Sequence, residues 1–136
     1  MMKIDKICGA MSAEAIVGVN AGYGHNNEAG IDFDAIAEIL KGVLSEVESE
    51  TGIYVSGSIS EARTVYKTEW GCPNGGEKTF RFTADCNPTY SSLSQEEYRV
   101  EWSKAYLLVI ERLMGVFEQT TVTARVGSEV FYLHNN

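Results

Sequence analysis

Histidine is scarce in this chain: His25 and His134 are the only two, and no H-x-x-H or H-E-x-x-H spacing occurs. A metal site would have to gather carboxylates and cysteines from distant segments, so neither a metal nor a cofactor is expected. The three cysteines, Cys8, Cys72 and Cys86, include no C-x-x-C pair. That argues against a zinc ribbon and a disulfide framework and for reduced thiols, Cys72 and Cys86 flanking a hairpin. There is no G-x-S-x-G nucleophile elbow, no Walker A loop and no G-x-G-x-x-G fingerprint. Basic residues are few, 11 against 19 acidic, and the net charge of −8 opposes binding to nucleic acid polymers and to anionic membranes. The longest apolar run, Ala105 to Ile110, is far too short to cross a bilayer. Residues Met1 to Glu14 lack the apolar core of a secretory signal, and a cytoplasmic protein is expected.

What is present reads as one α+β domain over residues 1–136. Phe33, Ile36, Leu40, Val43, Leu44 and Val47 recur at three- and four-residue steps and predict a helix, with Asp32 or Asp34 to cap it and Gly52 beyond its end. Ser94-Gln95-Glu96-Glu97 is a capping box that opens a second helix through Tyr98, Trp102, Tyr106, Ile110, Leu113 and Phe117. Its middle is apolar on most sides, which calls for a second covering surface such as a partner subunit. Strands are predicted at Ala15–Val19, Ile53–Ser60, Thr64–Trp70, Lys78–Asp85, Thr120–Val126 and Val130–Leu133, with a turn at Glu61-Ala62 between the second and third and a strong turn at Cys72–Gly76. The order fits an antiparallel sheet with two helices on one face, a ferredoxin-like core carrying additional hairpin strands.

Candidate binding residues fall in three places. The loop Gly22-Tyr23-Gly24-His25-Asn26-Asn27 lies between a strand and a helix and reads either as a ligand loop using Tyr23, His25 and Asn26 or as a plain connection. Phe80 and Phe82, followed by Asn87, read either as a base-stacking strand or as core. Arg99, Lys104 and Arg112 on the second helix read either as anion contacts or as solvated surface. Glu14, Glu28, Glu61 and Glu69 are scattered single carboxylates, and no catalytic constellation is visible.

In size, in its strand–helix–strands–helix–strands order, in the aromatic strand carrying Phe82 with Asn87 after it, and in the basic residues of its second helix, the chain resembles the phage Thoeris anti-defence proteins of the first type. That resemblance implies a non-enzymatic sponge in the host cytoplasm. It would sequester a small cyclic nucleotide, a cyclic ADP-ribose-type signal or a cyclic oligonucleotide, without cleaving it, as a homodimer or higher homo-oligomer. Phe82 would stack the adenine, Asn87 would line the pocket, and Arg112 or Arg99 would meet the pyrophosphate. The competing readings are a small enzyme on a ferredoxin-like scaffold and a phage structural or adaptor protein.

Overall fold

Alternate residues of the central strands are apolar and point to one side, and both helices lie on that side. The computed structural model describes residues 2–22 and 30–135. The element order is β1 (Ser12–Gly18), α1 (Phe33–Thr51), β2 (Gly57–Thr64), a short 3-10 turn (Thr68–Trp70), β3 (Glu77–Asp85), α2 (Gln95–Val116), β4 (Thr121–Val126) and β5 (Glu129–His134). The strands form one antiparallel sheet in the order β2-β3-β1-β4-β5. The first four make the split β-α-β arrangement of a ferredoxin-like core, and β5 extends it by a hairpin from β4.

Register carries the one-sidedness through the sheet. Val17 lies opposite Phe80, Ala15 opposite both Phe82 and Ala124, and all five are buried. Because side chains alternate with a period of two, their neighbours Glu14, Ile16, Thr79, Arg81, Thr123 and Arg125 share the other face.

Both helices begin with side-chain caps. Asp32 accepts from the Ala35 N–H at 3.1 Å, and the Ser94 hydroxyl accepts from the Glu97 N–H at 3.1 Å. Gly52 ends α1 with φ 74°, its N–H bonded to the Glu48 carbonyl at 2.8 Å. α1 buries Ile36, Leu40, Val43 and Val47. α2 lies over the sheet, with Trp102, Ala105, Tyr106, Val109, Ile110 and Leu113 at most 1% exposed. The Tyr106 hydroxyl donates to the Phe82 carbonyl at 2.7 Å, and the two rings stack at 5.5 Å. Burial, reinforced by the charge of Glu14, raises the pKa of the Tyr106 phenol, so it stays protonated and able to donate.

The second covering surface expected for the apolar middle of α2 is α1, which with the sheet buries it. The structure corrects one strand expectation. β2 is one continuous strand paired to β3 from Gly57 to Thr64, so the turn expected at Glu61-Ala62 lies mid-strand and Thr64–Trp70 is not a strand. Eight residues of cross-strand pairing outweigh a weak local turn preference. The turn at Cys72–Gly76 is present, closed by the Gly76 N–H on the Pro73 carbonyl at 3.0 Å. Cys72 lies against the Thr64 carbonyl and Cys8 against that of Cys86, and all three thiols are free.

Two outcomes follow from this packing. Phe82→Ala leaves a cavity under Tyr106 and is expected to lower unfolding free energy by roughly 3–5 kcal/mol, read by urea denaturation; a loss under about 1 kcal/mol would contradict a core role. Burial, then the neighbouring Cys8, push the Cys86 thiol up to about 11 against a lowering pull from Arg99. Cys86 should therefore resist iodoacetamide near neutral pH in the folded protein and react only on unfolding, because the thiolate is the nucleophile. Peptide mapping that finds Cys86 alkylated as fast as Cys72 would refute this.

Candidate functional site

The sheet face away from the helices carries polar side chains around a hollow. A concavity of about 400 Å³ opens over β3, β1 and β4, within the size range of small-molecule sites. Its floor is the outer face of β1 at Ile16 and Gly18, and threonines rim it at Thr64, Thr79, Thr121 and Thr123.

One end is negative. Glu77 at the start of β3 is only 6% exposed, an unusual position for a carboxylate. Register places it opposite Thr64, and the Tyr66 hydroxyl donates to its Oε1 at 3.0 Å. No ion pair among the described residues includes it. Thr79, two residues on, donates its hydroxyl to the Ala62 carbonyl at 2.8 Å and lies 3.1 Å from the Thr64 hydroxyl. These bonds tie the strands together beside Glu77, whose carboxylate has one side-chain donor among the described residues.

The other end is positive. Glu14 lies between two arginines, its Oε1 2.7 Å from Arg81 Nε and its Oε2 3.5 Å from Arg125 Nη1. The Arg81 contact is close but poorly aligned as a hydrogen bond. Two guanidinium groups against one carboxylate leave an excess of one positive charge.

The residues named from sequence do not assemble here. Phe80 and Phe82 are 0% exposed and pack under the helices, Phe80 against Phe117 and Phe82 against Tyr106, because the period of two turns them inward. Arg112 joins α2 to Glu46 and Glu50 of α1. Asn87 accepts from the Thr89 N–H at 3.1 Å within its own turn. Arg99 and Lys104 do meet, at a groove between α2 and the β4–β5 turn on the helix side. There Arg99 donates to the carbonyls of Gly9 and Ala10 at 3.0 and 3.1 Å, and Lys104 pairs with Glu101 at 3.6 Å. Tyr23, His25 and Asn26 lie outside the described residues.

Tyr66, Glu77, Thr79 and Gln119 were missed by the sequence reading. A signal existed for three of them. The turn at Cys72–Gly76 brings the segments on either side together, which sets Tyr66 near Glu77, and alternation from Phe80 and Phe82 puts Glu77 and Thr79 on the outer face. Among the described residues no cluster of histidine, cysteine and carboxylate groups could hold a metal ion, and no helix is long and apolar enough to cross a membrane.

Comparison with known proteins gives the site its context. The profile of the SAM lyase family matches residues 11–134. A solved phage SAM lyase in complex with S-methyl-5′-thioadenosine superposes with a TM-score of 0.61 at 14% identity, covering 98% of this chain and 97% of that one. A phage SAM lyase in the apo state superposes with a TM-score of 0.63 at 16% identity, over 99% and 98%. At such identities the superpositions establish the fold alone. No curated protein matches the chain. The family match overturns the Thoeris resemblance, and with it the cyclic ADP-ribose ligand, the sponge function and the expectation of no enzymatic activity. The buried ring of Phe82 agrees with that correction, since it has no open face to offer an adenine.

Proposed function

The chain belongs to the SAM lyase family, and we propose that the concavity beside Glu77 cleaves a carbon–sulfur bond of S-adenosylmethionine with no water or redox partner consumed. The observation that carries this reading is Glu77 itself, a buried carboxylate with no cationic side chain paired to it among the described residues, at one end of a ligand-sized hollow. Burying a charge without a counter-charge is costly, and a cationic substrate would supply one. S-Adenosylmethionine is such a molecule, positive at its sulfonium and its α-ammonium.

S-Methyl-5′-thioadenosine, bound in one solved neighbour, is the thioether released when the bond from sulfur to the methionyl γ-carbon breaks. The bonding pair goes to sulfur, whose positive charge disappears. The γ-carbon takes a new bond from an oxygen of the substrate's own carboxylate, closing a five-membered lactone. One C–O bond forms, one C–S bond breaks, and no proton moves. That route needs no acid–base pair, in keeping with a described lining that contains no histidine, lysine or cysteine. The protein's work is to fold the methionyl chain so that carboxylate and γ-carbon meet, and to keep water away.

Electrostatics fixes the direction of binding. The Glu77 end attracts cations and the Arg81–Glu14–Arg125 end repels them. An anion pressed against the sulfonium would lose its partner as the bond breaks and would favour the ground state. Against the α-ammonium, which keeps its charge throughout, the same anion binds without opposing the step. Glu77 is therefore assigned to the ammonium, with Tyr66 orienting its carboxylate.

The test is incubation of the purified chain with S-adenosylmethionine and mass spectrometry of the products. Equal amounts of S-methyl-5′-thioadenosine and homoserine lactone are expected. Glu77→Gln should reduce kcat/KM roughly ten- to a hundred-fold, the worth of a hydrogen bond to a charged group. Substrate returned intact from the wild-type chain would overturn the reading.

A homo-oligomer in the host cytoplasm belongs to the same reading. Its support is the outer sheet face, where Val130 and Tyr132 on the edge strand β5 are 67% and 64% exposed beside an open concavity. Light scattering should return a multiple of the chain mass at micromolar concentration, and a monomer would count against it.

A further inference from the structure

Gln119 enters the concavity under three independent constraints. The first is its amide. The Nε2 group donates to the Asn20 carbonyl at 2.7 Å and to the Phe117 carbonyl at 3.0 Å. Only a donor satisfies two carbonyls, so the orientation of this amide is determined by its partners. Its oxygen, Oε1, then points the other way and accepts no hydrogen bond among the described residues.

The second constraint is the space it fills. A Cβ on Gly18 would stand 2.6 Å from Gln119 Oε1 and 3.0 Å from its Cδ. Glycine at that position lets the amide lie directly on β1, at the floor of the hollow. The third is the backbone. Glu118, immediately before it, has φ 55°, a left-handed conformation disfavoured for a residue with a side chain. That strained residue turns the chain from the end of α2 so that Gln119 faces the site. Unfavourable backbone held in place beside a pocket is common where a side chain must be aimed.

Register shows what Oε1 can reach. Gly18 is paired with Thr79, and Thr79 is two residues from Glu77 on the same face. Opposed residues of an antiparallel pair stand about 5 Å apart, and residues two apart along a strand roughly 7 Å. A neutral acceptor that accepts no hydrogen bond among the described residues thus lies on the same face as the buried carboxylate, with its backbone support at Gly18 roughly 9 Å from that of Glu77. An ammonium carries three donors and needs more than one acceptor when it leaves water.

The geometry points to Gln119 as the second acceptor for the substrate's α-ammonium, which makes it a specificity-determining residue for the amino-acid end of the substrate. This rests on the lyase reading. It adds that the site distinguishes S-adenosylmethionine from a molecule with the same sulfonium, nucleoside and carboxylate and a hydrogen where the ammonium stands. Such a deamino analogue carries both reacting groups and can still form a lactone.

The experiment compares the two substrates in the full chain and in two variants. Gln119→Leu removes the acceptor, and Gly18→Ala displaces it while leaving it present. Each variant is expected to raise KM for S-adenosylmethionine about ten-fold, with a much smaller change in kcat. Each should change KM for the deamino analogue far less than KM for S-adenosylmethionine. An equal loss on both substrates, or an unchanged KM for S-adenosylmethionine, overturns the assignment. Melting temperatures measured alongside identify a variant that merely unfolds, and in that case the other variant decides. A wild-type chain that cleaves neither molecule overturns the lyase reading instead. The same comparison, read as binding of the two molecules by calorimetry, then decides on Gln119 alone.

Discussion

The hydrogen bond from the Tyr106 hydroxyl to the Phe82 carbonyl, 2.7 Å long, sits where α2 crosses the middle of the sheet. Around it stack Phe82, Tyr106 and Trp102, with centroids 5.5 and 5.7 Å apart. Each large ring buried here contributes roughly 2–3 kcal/mol through removal of apolar surface from water. The hydroxyl adds specificity, because a buried phenol with no acceptor would cost about 1–3 kcal/mol. This contact fixes which face of β3 meets the helices. A slip of one residue would put Arg81 under α2 and Phe82 in water, so the register of every paired strand depends on it.

Spending the apolar residues on one face leaves the other face for polar chemistry. Its threonines bond to each other and to edge carbonyls, as Thr79 does with Thr64 and Ala62, and so present a firm surface with few flexible side chains. On that surface the charges are separated along the strands. A buried carboxylate stands at one end, and a glutamate held by two arginines stands toward the other. Partial exclusion of water raises the effect of each charge above its value in bulk solvent. The excess of acidic residues that argues against polyanion binding is in the same sense favourable for a cationic ligand.

Much of the architecture could be read before any coordinates. The two helices follow from their apolar periodicity and their caps at Asp32 and Ser94, and the ferredoxin-like order follows from the alternation of elements. β2 was misread because Glu61-Ala62 resembles a turn locally, and only pairing with Phe80 and Thr79 makes it strand. The site was harder to read for a related reason. Phe80 and Phe82 attracted attention as aromatics, yet alternation alone cannot say which of two faces is buried, and the helices settled it. Arg112 was named as an anion contact and instead joins the helices, because its partners Glu46 and Glu50 are more than sixty residues away in sequence. Gln119 carried no signal at all. Its significance comes from Gly18, Asn20 and the conformation of Glu118, which meet only in the fold.

The missing catalytic constellation was taken to mean that the chain is not an enzyme. That inference assumes that the protein must bring the reacting groups. In the proposed reaction the substrate carries both of them, a carboxylate as nucleophile and a sulfonium as leaving group, joined by three carbon atoms. Well-oriented intramolecular reactions reach effective molarities worth roughly 7–11 kcal/mol of barrier. A surface that holds the chain folded can therefore supply rate enhancement without a histidine or a metal of its own. Opposite charges cancel as the lactone closes, so a site drier than water favours the transition state over the separated ions. The proposed reaction asks for a firm and partly dry mould, and the threonine-rimmed hollow with Glu77 and Thr79 buried beside it is the surface that suits it. For such chemistry the residues to look for are buried acceptors that hold a cation in place, and general acids and bases are not required.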